Sequence, residues 1–273
     1  MTGAAASPRL VGRTAIVTGA TQGVGADIAR GLAAQGAMVC VVGRSREAGE
    51  AVAAAIGEKA FYAEADITDD AAIDCVVEAM MARCGRLDVL VNNACSYDDD
   101  GLASTRTQWL RTLDVNLVSA AIFIQKAAAR MQQGAVIVNV GSTGGKFGAA
   151  GRAVYPASKA ALLQLTRNFA VALAPRGIRV LSVSPAWTWS PALARMSGDS
   201  IEVADAVGAP LHPLGRVGRG EEVAQAVAFA ASHEASWMTG VDLAVDGGFS
   251  ILGPDQGLAP QTWFERLAPQ TKG

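Results

Sequence analysis

The chain predicts an α/β fold, one doubly wound parallel sheet with helices on both faces. Three observations predict it. Short apolar, β-branched runs alternate with helical patterns along the chain, as they do where crossover helices join parallel strands. The first run, 13–18, leads straight into Gly19-Ala20-Thr21-Gln22-Gly23-Val24-Gly25 and then a helical pattern, the strand, glycine turn and helix of a Rossmann-type unit. No internal repeat divides the 273 residues, so one domain is expected over 1–273, with its core at about 10–250, a flap at 186–214 and a tail at 253–273.

Composition narrows the class. A hydrophobic fraction of 51% and a charged fraction of 18% suit a folded core. A formal net charge of −2 offers no basic surface for nucleic acid or an anionic membrane. No apolar run reaches membrane-spanning length, and residues 1–8 are small and polar, without a signal core. Cys40, Cys75, Cys84 and Cys95 lack zinc-type spacing and only His212 and His233 are available as ligands, so no metal is expected. So few cysteines suit a reducing cytosol, and the protein reads as soluble and cytoplasmic.

In order along the chain, glycines 19, 23 and 25 let the first turn approach a ligand closely, and the helix that follows offers free N–H groups and a positive dipole end to a pyrophosphate. The second strand, 39–42, ends at Gly43-Arg44-Ser45-Arg46, where a ribose-binding acid would stand about 20 residues after the glycine loop. No acid stands there. Arg44 can instead fork onto a 2′-phosphate, which favours NADP(H) over NAD(H); the alternative is that both arginines are solvated charges beside Ser45 as a helix cap. After a helix over 45–56 and a strand over 60–65, Asp66 and Ile67 lie at a strand tip, where Asp66 either meets an adenine amino group or caps the helix over 69–83.

A fourth strand, 87–91, precedes Asn92-Asn93-Ala94-Cys95, whose amides can tie a loop and floor a cofactor site. Residues 96–101 read as a solvated loop, because adjacent carboxylates do not converge on an ion. One long helix is expected over 107–131, its apolar face interrupted by Asn116, either a structural link or part of a polar relay. The fifth strand, 135–140, ends in Gly141-Ser142-Thr143-Gly144-Gly145, where α/β sheets bind ligands. Tyr155 and Lys159 follow on a helix over 152–173; four residues apart, they share a face, and a fixed cation beside a phenol favours its phenolate, which suits a general acid/base. Beyond a sixth strand, 178–184, the flap is irregular and carries Trp187, Trp189 and Met196. These aromatics either face an apolar cyclic or aromatic substrate or simply pack the flap. A helix over 221–232 and a last strand, 241–245, complete the sheet; Trp263, Phe264 and Leu267 are expected to dock part of the tail.

These residues together resemble the short-chain dehydrogenase/reductase family in its compact branch, over roughly residues 10–250. Thr18 to Gly25 looks like the family's TGxxxGxG loop, Asn92-Asn93-Ala94 like its NNAG segment, and Asn116, Ser142, Tyr155 and Lys159 like its catalytic tetrad. Cys95 replaces the NNAG glycine, Ala186 replaces the glycine of a PG motif, and Ser190 stands where a threonine commonly meets the nicotinamide amide. The resemblance implies hydride transfer between a nicotinamide and a carbinol or carbonyl carbon of a small alcohol or ketone. It implies that Tyr155 passes the proton, Lys159 holds ribose hydroxyls, Ser142 positions the substrate oxygen, and Asn116 holds a water linking Lys159 to solvent. Cofactor contacts are expected from Gly19, Thr21, Gln22, Gly23, Val24, Gly25, Arg44, Asp66, Ile67, Asn93, Ala94, Tyr155, Lys159, Pro185, Thr188 and Ser190. Substrate contacts are expected from Ser142, Tyr155, Cys95, Trp187 and Trp189. It also implies a homo-oligomer, a dimer or tetramer. The rival readings are a 3-oxoacyl-type reductase, an epimerase or dehydratase, and a non-catalytic redox sensor on the same fold.

Overall fold

The structure is a computed structural model and describes residues 8–268. Seven strands form one sheet: β1 (Thr14–Thr18), β2 (Met38–Gly43), β3 (Ala60–Glu64), β4 (Val89–Asn92), β5 (Val136–Val140), β6 (Arg179–Pro185) and β7 (Asp242–Val245). All pair in parallel, in the order β3-β2-β1-β4-β5-β6-β7. The helices are α1 (Gly23–Ala34), α2 (Arg46–Ile56), α3 (Asp70–Cys84), α4 (Arg106–Leu113), α5 (Ser119–Arg130), α6 (Val154–Leu173), α7 (Pro191–Met196), α8 (Ile201–Gly208), α9 (Gly220–Ala231) and α10 (Pro260–Leu267).

Successive strand residues point to opposite faces, so one apolar run feeds two cores. Val17, Val41 and Val138 pack with Ile28, Leu32 and Val227 of α1 and α9. Ile16, Cys40 and Ile137 pack with Ile73, Met80, Phe123 and Ile124 of α3 and α5. The strand order reverses between β1 and β4, and that reversal opens a crevice at the strands' carboxyl ends. The glycine turn after β1, the two asparagines after β4 and the serine loop after β5 all come out there.

The structure departs from the sequence expectation in three places. The helix expected over 107–131 is not one regular helix, because a π-helical turn, Asp114–Val118, joins α4 to α5. Such a turn inserts a residue, and here it carries the buried Asn116, whose amide needs partners off the helix. The flap is not irregular. Ser190 caps α7 and Ser200 caps α8, and helices of six and eight residues are too short for periodicity to reveal. In the tail, Trp263 donates Nε1–H to the Asp255 carbonyl at 2.8 Å, but Phe264 and Leu267 are exposed on α10 rather than docked. The tail's last residues, 269–273, lie outside the described chain. No described helix is long and apolar enough to cross a membrane.

Candidate active site

The site has two halves. The first is the turn after β1. Gly19 has φ +62, and a Cβ there would lie 2.7 Å from Ala94 Cα. A Cβ on Gly25 would lie 2.2 Å from the Gly19 carbonyl oxygen and 2.4 Å from Asn93 Nδ2. The turn is therefore closed by backbone contact that only glycine permits. Asn93 Nδ2 donates to the carbonyls of Thr18 and Gly19 at 3.0 and 3.1 Å, so it ties the loop as its position suggested. Thr21 packs over Gly43, and Val24 faces the cleft. Gln22 precedes α1 without a side-chain cap, and the first turn holds no acid. The helix's positive end is thus left to a ligand, which fits a pyrophosphate.

At the tip of β2 and β3, Arg44 sits 3.8 Å from Asp66, with both side chains largely exposed. Arg46 is taken by Glu64 at 2.6 Å. Asp66 accepts from Thr68 N and Oγ1 at 3.1 and 2.9 Å; these bonds, with Arg44 adding to them, hold its carboxyl below the usual range. Asp69 caps α3. Ile67 packs half-buried on the core.

The second half is carried by α6. Tyr155 and Lys159 are buried, 7% and 3% exposed, and the ammonium nitrogen lies 5.8 Å from the Tyr155 ring centroid. Lys159 Nζ donates to the Val140 carbonyl at 2.8 Å. Ser142 Oγ accepts from Gly144 N at 3.0 Å. A Cβ placed on Gly144 would lie 3.3 Å from Ser142 Oγ and 3.5 Å from Tyr155 Cε1, so the two side chains flank one small space. Asn116 makes three bonds through its amide: Oδ1 accepts from Ser96 N at 2.6 Å, and Nδ2 donates to Ser96 O at 3.0 Å and Ser158 Oγ at 2.9 Å. These bonds link the loop after β4 to α6.

Between the halves lies a cleft of about 670 Å³. Asn93, Cys95, Ser142, Tyr155, Lys159, Pro185, Thr188, Ser190 and Trp187 all reach it; Trp189 does not line it, and its backbone N–H donates to Gly218 O at 2.9 Å. α7 and α8 roof the cleft through Leu193, Met196 and Val203. Among the described residues no cluster of three or more His, Cys, Asp or Glu could hold a metal ion.

Sequence reasoning missed three groups here. Phe147 and Phe249 pack edge-on 6.1 Å apart and line the cleft from two loops. Tyr97, although 59% exposed, stacks on Tyr155, rings 4.8 Å apart and 23° from parallel; neighbouring Cys95 and Tyr155 push its phenol pKa up. Asp99, read from sequence as part of a solvated loop, reaches across to α6. Its carboxylate accepts from Ala153 N at 3.0 Å, Tyr155 N at 2.9 Å and Gly101 N at 2.9 Å. Burial raises its pKa, but these N–H bonds outweigh it and bring the carboxyl down to about 2. No sequence signal marked this, because the helix reads as starting at 152 and only the structure places its N-terminus at Ala153, which offers no side-chain cap.

Asp99→Ala should therefore cost about 0.5–2 kcal/mol of stability in chemical denaturation, the usual range for a lost N-cap, and should lower turnover as well. The sign with pH follows from the depressed folded pKa. The contribution is fully present above about pH 4, the unfolded value, and is lost as pH falls through about 2. Unchanged stability in the variant would refute the cap.

Comparison with known proteins bears on this geometry. A family profile described as enoyl-(acyl carrier protein) reductase matches residues 19–250. The chain is 38% identical over 253 residues to cis-4-hydroxycyclohexanecarboxylate dehydrogenase of Sinomonas cyclohexanicum, covering 88% of this chain and 97% of that one. It is 35% identical over 245 residues to the 3-oxoacyl-[acyl-carrier-protein] reductase of Escherichia coli, covering 88% and 98%. A mutant short-chain dehydrogenase/reductase of Serratia marcescens superimposes with a TM-score of 0.81 at 38% identity, covering 89% of this chain and 99% of that one. The glycine turn, the reversed sheet order and these relatives agree: the chain belongs to the short-chain dehydrogenase/reductase family and is an NAD(P)-dependent oxidoreductase that interconverts alcohols and ketones on small-molecule substrates.

Proposed function

We propose that the substrate is an apolar, ring-bearing secondary alcohol or its ketone, and that Asn116, Ser142, Tyr155 and Lys159 do the work. The observation that carries this reading is the single small space flanked by Ser142 and Tyr155 at the floor of a mostly apolar cleft. A substrate oxygen in that space is within reach of both hydroxyls. Ser142, its Oγ already accepting from Gly144 N, turns its own O–H toward that oxygen. Tyr155 gives or takes the proton on it. Lys159, buried behind the ring, offsets the negative charge that develops on the Tyr155 oxygen. Asn116 serves as a positioning residue, clamping the loop after β4 to α6. The nicotinamide, when bound, supplies or accepts the hydride. Gly19, Thr21, Gln22, Gly23, Val24 and Gly25 cradle its pyrophosphate, while Asn93, Ala94, Pro185, Thr188 and Ser190 border its nicotinamide side. Cys95 and Trp187 meet the substrate. The cyclic preference is supported by Trp187, Phe147 and Phe249 on the wall and by the relative that acts on hydroxycyclohexanecarboxylate.

A 3-oxoacyl substrate is the second reading. It is favoured by the family description and by the Escherichia coli relative.

NADP(H) is the favoured cofactor and NAD(H) is accepted. Arg44, held only loosely by Asp66, is free to fork onto a 2′-phosphate. The exposed Ala157, Ala160 and Ala172 of α6 suit close packing against a second copy, as a dimer or tetramer.

Three outcomes are expected. Tyr155→Phe removes nearly all turnover, at least about a hundredfold, with cofactor affinity close to normal; surviving turnover would remove Tyr155 from the role. Arg44→Asp shifts the ratio of kcat/KM values toward NAD(H), and an unmoved ratio refutes the 2′-phosphate contact. Sedimentation equilibrium at micromolar concentration finds a dimer or larger, whereas a monomer would end that proposal.

A further inference from the structure

The cleft carries a charge pattern that the hydride chemistry does not use. Its walls are apolar over most of their extent, yet three cations line it, Arg152, Lys159 and Arg195, and among the described residues no Asp or Glu does. Lys159 is committed to Val140 O and the Tyr155 ring. Arg152 and Arg195 form no ion pair and no side-chain hydrogen bond with any described residue. By contrast, Arg86, Arg216 and Arg219 each meet a carboxylate within 2.7 Å, whereas Arg152 and Arg195 stand exposed at the cleft. The Arg152 guanidinium lies 5.8 Å from the Tyr155 ring centroid, on the loop between β5 and α6. The turn suited to the cofactor's pyrophosphate is elsewhere, at the carboxyl end of β1.

We propose that the substrate bears a carboxylate remote from its reacting carbon, and that Arg152 holds that carboxylate while Arg195 adds to the positive field. The inference rests on the alcohol/ketone reading above and names its substrate class more closely: a ring-bearing hydroxy or oxo acid. A planar guanidinium presents paired N–H donors that match a carboxylate. Uncompensated positive charge in a cleft also steers anions into it. A neutral substrate of the same shape would leave both arginines without a partner.

The test has two arms. In calorimetry, cyclohexanecarboxylate and its methyl ester are titrated into the full-length protein loaded with NADP(H). In kinetics, 4-hydroxycyclohexanecarboxylate is compared with its methyl ester. The acid is expected to outperform the ester by about tenfold to a hundredfold in both arms, the range for hydrogen bonds to charged groups. Arg152→Gln should bring that ratio close to one without moving the KM for cofactor, and Arg152→Lys should retain part of the preference. Equal binding of acid and ester by the wild-type protein overturns the proposal, as does a ratio that Arg152→Gln leaves unmoved. If neither alcohol turns over while the acid still binds in preference, the anion site stands and the alcohol/ketone reading is the one that fails.

Discussion

The site depends on holding one helix, α6, in a fixed register against the carboxyl edge of the sheet. The roles proposed for Tyr155 and Lys159 require their side chains to arrive beside Ser142, which comes from a different element. Burial alone cannot set that register, since apolar contact is non-directional. Directional buried bonds do it instead. Asn139 on β5 accepts from Asn92 on β4 at 2.9 Å and donates to Thr166 on α6 at 2.9 Å, all three buried. Asn116 reaches Ser158 on the same helix, and Ser158 donates to the Tyr155 carbonyl at 2.7 Å. Asp99 closes the N-terminus. Each bond contributes about 1 kcal/mol net, but leaving any of these buried groups unpaired costs about 1–3 kcal/mol, and that asymmetry is what specifies the register.

The same frame explains why the cleft has a polar floor and an apolar roof. The floor is built from strand ends and the loops that leave them, where main-chain donors and acceptors are plentiful. Lys146 pairs with Asp242 at 2.6 Å and Ser184 donates to Asp242 at 2.6 Å, so the loop bearing Ser142 is tied down to β6 and β7. The roof comes from α7 and α8, short helices that line the cleft mainly through Leu193, Met196 and Val203, with Arg195 beside them. Asp205 of α8 pairs with Arg219 at 2.6 Å and accepts from Val217 N at 3.1 Å, which ties the roof to the body at one end. Its other end rests on the glycine turn, where a Cβ on Gly23 would lie 3.0 Å from Pro191. Roof and glycine turn therefore touch.

Much of this was legible in the sequence, for identifiable reasons. Buried parallel strands read as unbroken apolar runs, and glycines that close a turn by backbone contact cannot be replaced, so strands and the turn after β1 stood out. Tyr155 and Lys159 share a face by helical spacing alone. What was not legible depended on partners far away in the chain. Asn116 sat inside an apolar periodicity, yet nothing in the periodicity announces a π-turn, which exists because Ser96 and Ser158 are there to receive its amide. Asp99 looked like one of three solvated acids, and only the approach of Ala153 and Tyr155, more than fifty residues on, distinguishes it from Asp98 and Asp100. Trp187 and Trp189 are equivalent in sequence, two residues apart in one segment, but only Trp187 faces the cleft.

The sequence by itself determined the sheet, the glycine turn and the family, because these rest on local periodicity and on residue types at short spacing. Tertiary structure alone decided which helix ends are capped from afar, which aromatics wall the cleft and which arginines stand there without a carboxylate. Those are matters of convergence in space, where hydrogen bonds and charges act over a few ångströms regardless of how far apart their residues lie along the chain.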